Sequence, residues 1–243
     1  MGMFEMLASD SMQQILLLSF KVATLATVLN LPFALCTGWV LARHNFLGKV
    51  LLETLVQLPL VLPPVVVGYL LLILFGVEGW IGKTLASWGI QLTFHWTGAV
   101  LAAMVMAFPL MVQPVRLAFG SMDRRLESMA ASLGLPPYQV FFRVSLPLAL
   151  PGIMMGMVLS FCRSLSEFGA TITFVGAIPG ETLTLPLAIY TLLQQPDAAD
   201  QVLLLVCCSV ALSVFALFGN HWLTQRQARQ LQDSANQTDV AHA

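Results

Sequence analysis

The chain has 243 residues, of which 58% are hydrophobic and only 9% charged, and its net charge is −1 with a mean hydropathy of +0.83. Soluble domains carry about 25% charged residues, so this chain has too little charge to cover a water-facing surface and its main solvent must be lipid. The near-zero net charge also excludes a general basic field for nucleic acid.

From the N-terminus, residues 1–14 contain Glu5 and Asp10 but no Lys or Arg. A secretory signal needs a positive n-region and a short apolar core. The run that follows is too long for such a core and reads as a retained first span. Five apolar stretches can be drawn, at residues 15–42, 50–77, 98–119, 148–175 and 202–223. Each reaches the roughly 20 residues that a spanning helix needs. Pro32, Pro59, Pro63, Pro64 and Pro109 within them imply tilted or kinked helices. The expected fold class is an all-α membrane protein of about five transmembrane helices. It forms one membrane domain over residues 1–223, followed by a polar tail over 224–243.

Lys and Arg set the expected orientation. Arg43 and Lys49 flank the first connection, Arg116, Arg124, Arg125 and Arg143 crowd the third, and Arg226 and Arg229 follow the last span. The second and fourth connections hold only Lys83. This places the odd connections and the C-terminus in the cytoplasm and the N-terminus outside. Cys36, Cys162, Cys207 and Cys208 lie in apolar runs without metal spacing and read as inert buried thiols. The chain shows no internal duplication. Five spans enclose a pathway poorly, so a partner of similar shape is expected.

The most informative segment is the cytoplasmic loop at residues 121–147. Leu126, Met129, Ala130 and Leu133 fall at i, i+3, i+4 and i+7, one apolar stripe of a helix. Asp123 suits the N-cap, Gly134 suits a left-handed C′ position, and Pro136 and Pro137 forbid continuation. A short amphipathic helix thus ends sharply, and a second segment leads through Leu146 and Pro147 into the next span.

Glu127, Ala130, Gly134, Val144, Leu146 and Pro147 resemble the EAA signature of ATP-binding-cassette importer permeases. Glu127 stands seven residues before Gly134, where the commonest pattern has six, and Met129 replaces a usual alanine. The resemblance implies that the loop carries a coupling helix docking on a cytoplasmic ATPase. Its coupling residues would be Glu127, Ala130, Leu133, Gly134, Leu146 and Pro147, with a rigid elbow passing motion to the membrane. The plain alternative is an ordinary cytoplasmic loop helix.

Three further segments narrow the resemblance. LPLVLPPVVVGY at 58–69 and RSLSEFGATITF at 163–174 look like second-span and fourth-span signatures of oxyanion permeases. IPGETLTLPLAIY at 178–190 is similar to the external segment of molybdate permeases. The likeness runs from about residue 18 to 223, and Ser166 stands where glycine is common. It implies a type I importer permease in a bacterial inner membrane. Its partners would be two ATPase subunits, an external oxyanion-binding protein and a second copy of the chain. The cargo would be molybdate, with sulfate or tungstate as alternatives.

Arg163 and Glu167 are ionisable residues inside the fourth stretch, i and i+4 apart, and such residues default to functional hypotheses. They either flank the translocation pathway or form a pair that only fixes packing. Ser164, Thr171 and Thr173 either line the same pathway or bond backbone carbonyls one turn earlier. Lys21 is expected to snorkel to the outer interface. Gly82, Lys83 and Thr84 mimic the end of a phosphate-binding loop, but the earlier glycine such a loop needs is Val77. His44, His95, His221 and His242 have no metal spacing, and no nucleophile elbow occurs, so neither a catalytic residue nor a cofactor is expected. An autonomous channel or secondary carrier would have no need of the coupling signature, and the lack of a catalytic constellation counts against an intramembrane enzyme.

Overall fold

A computed structural model describes residues 10–196, 198–214 and 218. All regular structure among them is helical. Helix α1 is Asp10–Arg43. At 1.5 Å per residue its 34 residues reach about 51 Å, well beyond a hydrocarbon core of roughly 30 Å. Helices α2 (Lys49–Val61), α3 (Pro64–Phe75) and α4 (Trp80–Ser87) follow. Helix α5 is Trp96–Ser121, and α6 is the short Arg124–Ser132. The remaining helices are α7 (Pro137–Leu165), α8 (Gly169–Val175), α9 (Leu185–Leu193) and α10 (Ala199–Val214).

Helix α5 is the hub. Ala99, Ala102, Ala103 and Ala107 on it are buried, and these small side chains allow close helix approach, as spanning helices require. One core joins Val22 and Ala26 of α1, Val67 and Leu71 of α3, Ala103 and Met106 of α5, and Ala170 and Phe174 of α8. A second layer packs Val115 and Phe119 of α5 against Ala149 and Ile153 of α7. Met12 of α1 meets Leu185 and Ala188 of α9 and Leu204 and Leu205 of α10. Buried Asn30 of α1 donates to the Met104 carbonyl of α5 at 2.9 Å. The Leu185 N–H that opens α9 donates to Ser19 Oγ of α1.

The spans differ from the sequence expectation in three places. The second stretch is not one tilted helix: α2 and α3 are bent by 114° at Leu62 and Pro63. Pro63 and Pro64 lack N–H groups and bias the preceding residue away from helix, so the tandem prolines break the span rather than kink it. The fourth stretch begins earlier than residue 148 and is itself interrupted. Its helix starts with Pro137 at the first position, where a missing N–H costs nothing, and stops at Leu165, three residues before α8.

The expected elbow at Leu146 and Pro147 is a π-helical turn, Phe141–Ser145, within a continuous helix. Pro147 cannot donate to Arg143, and its ring crowds that carbonyl. The wider turn accommodates it, with the Leu146 N–H reaching back to the Phe141 carbonyl. The fifth stretch appears as α10, and its remainder, Arg226, Arg229 and the tail at 224–243 lie outside the described residues. The cysteines also differ from expectation: Cys36 and Cys207 are exposed on the isolated chain and none forms a disulfide.

Candidate functional site

Helix α6 forms as its sequence dictates. Asp123 caps it by accepting from the Arg125 N–H at 2.9 Å. Gly134 ends it at φ +86°, with the Gly134 N–H on the Ala131 carbonyl and the Leu135 N–H on the Ala130 carbonyl. These two bonds make a Schellman turn, which satisfies carbonyls the helix end would otherwise orphan.

The large side chains of the α6 apolar stripe are uncovered by the rest of the chain, while Ala130 of the same stripe is half-buried. Leu126, Met129 and Leu133 are 45%, 64% and 81% exposed, and no residue of α6 is buried. At 100° per residue, Arg124, Glu127, Ser128 and Ala131 lie on the opposite side, and all four line a cleft of about 450 Å³ against the body of the protein. Of the helix itself only Glu127 and Ala130 are half-buried, so α6 lies on the surface with its largest apolar side chains uncovered.

Glu127 belongs to the inward side. Its Oε1 accepts from Arg43 Nη2 at 2.8 Å and from Ser145 Oγ at 2.7 Å. Arg43 is the last residue of α1, and Ser145 is buried in the π-turn of α7. Arg124 Nη2 adds a bond to the Arg43 carbonyl at 3.4 Å. Beneath them Phe141 sits edge-on to Trp39 of α1 and stacks with Phe119 of α5. Ala130 is half-buried, Leu146 is half-buried and Pro147 is exposed at the start of the long α7 segment. A second link at this end is Arg116 of α5 with Glu53 of α2, at 2.8 Å.

The sequence reading took Arg43 as an orientation charge and Glu127 as a coupling residue, and did not foresee that the two pair. The angular offset of Glu127 from the apolar stripe is the signal that would have found it.

The two other signature segments meet where the broken spans meet. Helices α3 and α8 cross so closely that a Cβ on Gly68 would fall 2.5 Å from the Ala170 carbonyl oxygen, and one on Gly169 would fall 2.7 Å from Pro64 Cβ. The two segments, 58–69 and 163–174, therefore meet through Pro64 and Gly68 of one and Gly169 and Ala170 of the other. Arg163, in the last turn of α7, pairs with Glu167 in the break, Nη1 to Oε2 at 2.6 Å. The other carboxylate oxygen of Glu167 accepts from the Ala170 N–H at 2.8 Å. Glu167 thus holds the N-terminus of α8, where orphan donors and the helix dipole favour an anion. Its side chain is 2% exposed and that of Arg163 23%.

The hydroxyls separate into different environments. Thr173 Oγ1 donates to the Gly169 carbonyl at 2.9 Å, the backbone bond one turn earlier. Thr171 is buried, and the buried hydroxyls of Ser160 and Ser164, one turn apart, have no hydrogen-bond partner among the described residues. Geometry brings Arg163 and Glu167 together, while Ser164 and Thr171 are enclosed by the chain itself.

At the other end, residues 178–190 fold around buried Thr182, which accepts from the Ile178 N–H and donates to the Gly176 carbonyl. His95 caps α5 through Thr97 and approaches Glu181 at 3.1 Å. Lys21 sets its ammonium 3.4 Å from the Trp96 ring centre, a cation–π contact in place of simple snorkelling. Lys83 and its neighbours lie inside helix α4. No cluster of three His, Cys, Asp or Glu groups suited to a metal occurs among the described residues.

Residues 34–229 match the family described as "Binding-protein-dependent transport system inner membrane component". The chain is 52% identical over 221 residues, covering 90% of it and 96% of the relative, to the molybdenum transport system permease protein ModB of Escherichia coli. It is 48% identical over 215 residues, 88% of this chain and 94% of the relative, to ModB of Haemophilus influenzae. A probable sulfate transport system permease of Nephroselmis olivacea is 36% identical, over 79% of this chain and 69% of that protein. A bacterial ABC transporter involved in alginate import has the same fold, with a TM-score of 0.72 at 19% identity over 92% of this chain and 82% of that one. The helices, their order and these relatives together place the chain in the family of inner membrane components of binding-protein-dependent transport systems, as a multi-pass protein with the type I ABC importer permease fold.

Proposed function

We propose that this chain is the membrane-spanning subunit of an ATP-driven importer that carries molybdate into the cell. The observation that carries the reading is the 52% identity to a molybdenum permease across nearly the full length of both chains. The outward apolar face of α6 supports the ATPase side of it. The reading assigns ATP hydrolysis to two cytoplasmic ATPase subunits, cargo capture to an external oxyanion-binding protein, and the other wall of the pathway to a second copy of this chain. Arg163 and Glu167 stand at the pathway wall beside the α3–α8 crossing, where their mutual neutralisation lets a dianion pass without being trapped. The sulfate reading draws support from the 36% identity to a sulfate permease. Uptake decides between them. Cells expressing the chain with its partner subunits are expected to accumulate molybdate, and tungstate is expected to compete more strongly than sulfate. Competition by sulfate at the same concentration would move the assignment to sulfate.

The distribution of Lys and Arg supports an external N-terminus and a cytoplasmic α6. Reporter fusions after Arg124 should read cytoplasmic, and fusions near Gly180 external. A cytoplasmic signal at Gly180 would overturn this orientation.

A further inference from the structure

The contacts of Glu127 have a direction that the docking role of α6 does not explain. A residue whose only task was to touch an ATPase would present its carboxylate on the exposed apolar side. Instead Glu127 Oε1 is shared between Arg43, whose side chain is 8% exposed, and the buried hydroxyl of Ser145. These three residues come from three elements: α6, the end of α1, and the π-turn of α7. A π-turn inside a helix often marks a functional position, and here it sets Ser145 within reach of α6.

The Arg43 guanidinium also leaves its buried Nε without a partner among the described residues, so a single charge-assisted contact at Nη2 holds it to Glu127. Helix α6 has no buried side chain of its own. Among the described residues, its side-chain hydrogen bonds to the body are those of this carboxylate and the Arg124 bond to the Arg43 carbonyl, beside the packing of half-buried Ala130.

We propose that Glu127 is a positioning residue that works inward. With Arg43 and Ser145 it clamps the coupling helix to the cytoplasmic ends of α1 and α7, so that a push on α6 moves both membrane helices as one. The proposal rests on the reading of the chain as the permease of an ATP-driven importer. The carboxylate supplies the joint because it accepts from two donors at once on one oxygen, while the exposed Leu126, Met129 and Leu133 remain free for the ATPase.

The test uses the complete importer in liposomes, with ATPase and binding protein present. Glu127→Gln keeps the shape and an oxygen for Ser145 but removes the charge that holds Arg43. The expected result is a fall of about tenfold in molybdate taken up per ATP hydrolysed, the size of losing roughly one charge-assisted bond, with co-purified ATPase unchanged. Exchanging the charges, as Arg43→Glu with Glu127→Arg, should recover a substantial part of the ratio. Ser145→Ala, the mildest change, should lower it by about twofold.

A second readout is independent of the ion carried. Spin labels at His44 and Ser132, in a background with the native cysteines replaced, should keep one separation through the nucleotide cycle. In the Glu127→Gln importer they should report a spread of separations. Loss of ATPase binding in step with transport, without rescue by the exchange, would make Glu127 an outward contact and overturn the clamp. So would an unchanged label distance in Glu127→Gln. If the wild-type importer took up no molybdate, the cargo assignment would fail while the label distances still decided the clamp.

Discussion

Glu167→Ala is expected to cost this protein more than any other single change considered. The substitution removes two contacts together: the Arg163 guanidinium loses its partner at 2.6 Å, and the Ala170 N–H loses its acceptor. Breaking a buried pair costs about 3–5 kcal/mol, the lower end applying here because Arg163 is partly exposed, and losing a helix cap costs about 1 kcal/mol more. Membrane abundance should fall, and uptake normalised to abundance should fall by tenfold or more.

The informative comparison is Glu167→Gln combined with Arg163→Met. The amide keeps an oxygen for the Ala170 N–H, so the cap survives while both charges go. Replacing a buried pair together by neutral groups of similar volume is often close to neutral for stability. Normal abundance with low uptake is the outcome expected of a pair that also serves the pathway. Uptake at the wild-type level in that double variant would assign the pair to the scaffold alone.

Gly134→Val should uncouple the protein without removing it from the membrane. At φ +86° a β-branched side chain is strained whatever space surrounds it, and no atom lies within 4 Å of the position a Cβ would take. The effect is therefore purely on the turn. Relieving it requires unwinding the Schellman bonds to Ala130 and Ala131, which reorients Leu133 and the whole exposed face. Left-handed strain of about 1–2 kcal/mol, applied at the proposed docking surface, should lower uptake by roughly tenfold. Gly134→Asn, which tolerates that conformation better, should lower it less. Normal stimulation of ATP hydrolysis by loaded binding protein in Gly134→Val would remove α6 from the coupling role.

Much of this was open to a reading of the sequence, for identifiable reasons. The cap at Asp123, the turn at Gly134 and the stop before Pro137 are local effects that residue type decides, and all three stand in the structure. The apolar stripe of α6 was legible as a pattern, but period alone does not say which side meets the protein. The inward turn of Glu127 depends on Arg43 and Ser145, 84 and 18 residues away in sequence. The broken spans were hidden for a related reason. Hydropathy sums apolar character over a window and is blind to direction, so residues 50–77 read as one helix although the chain turns by 114° within them. Pro63 and Pro64 were visible, but kink and break differ only in what packs around them. Arg163 and Glu167 were expected as i, i+4 neighbours on one helix. They do pair, across the end of a helix and not within it, which is how Glu167 also comes to hold α8.

The crossing of α3 and α8 bears on how such a protein can move. With Gly68 seated on the Ala170 backbone and Gly169 against the Pro64 ring, sliding or rolling of one helix along the other would drive each into its neighbour. Such close seating disfavours a shear between them and favours motion of the two as one block. Freedom for a conformational change is then expected at the block's borders, in the Leu62–Pro63 corner and in the three residues that separate Leu165 from Gly169. On that expectation those corners would serve as hinges, and the two segments that supply the block and its borders would form one moving part.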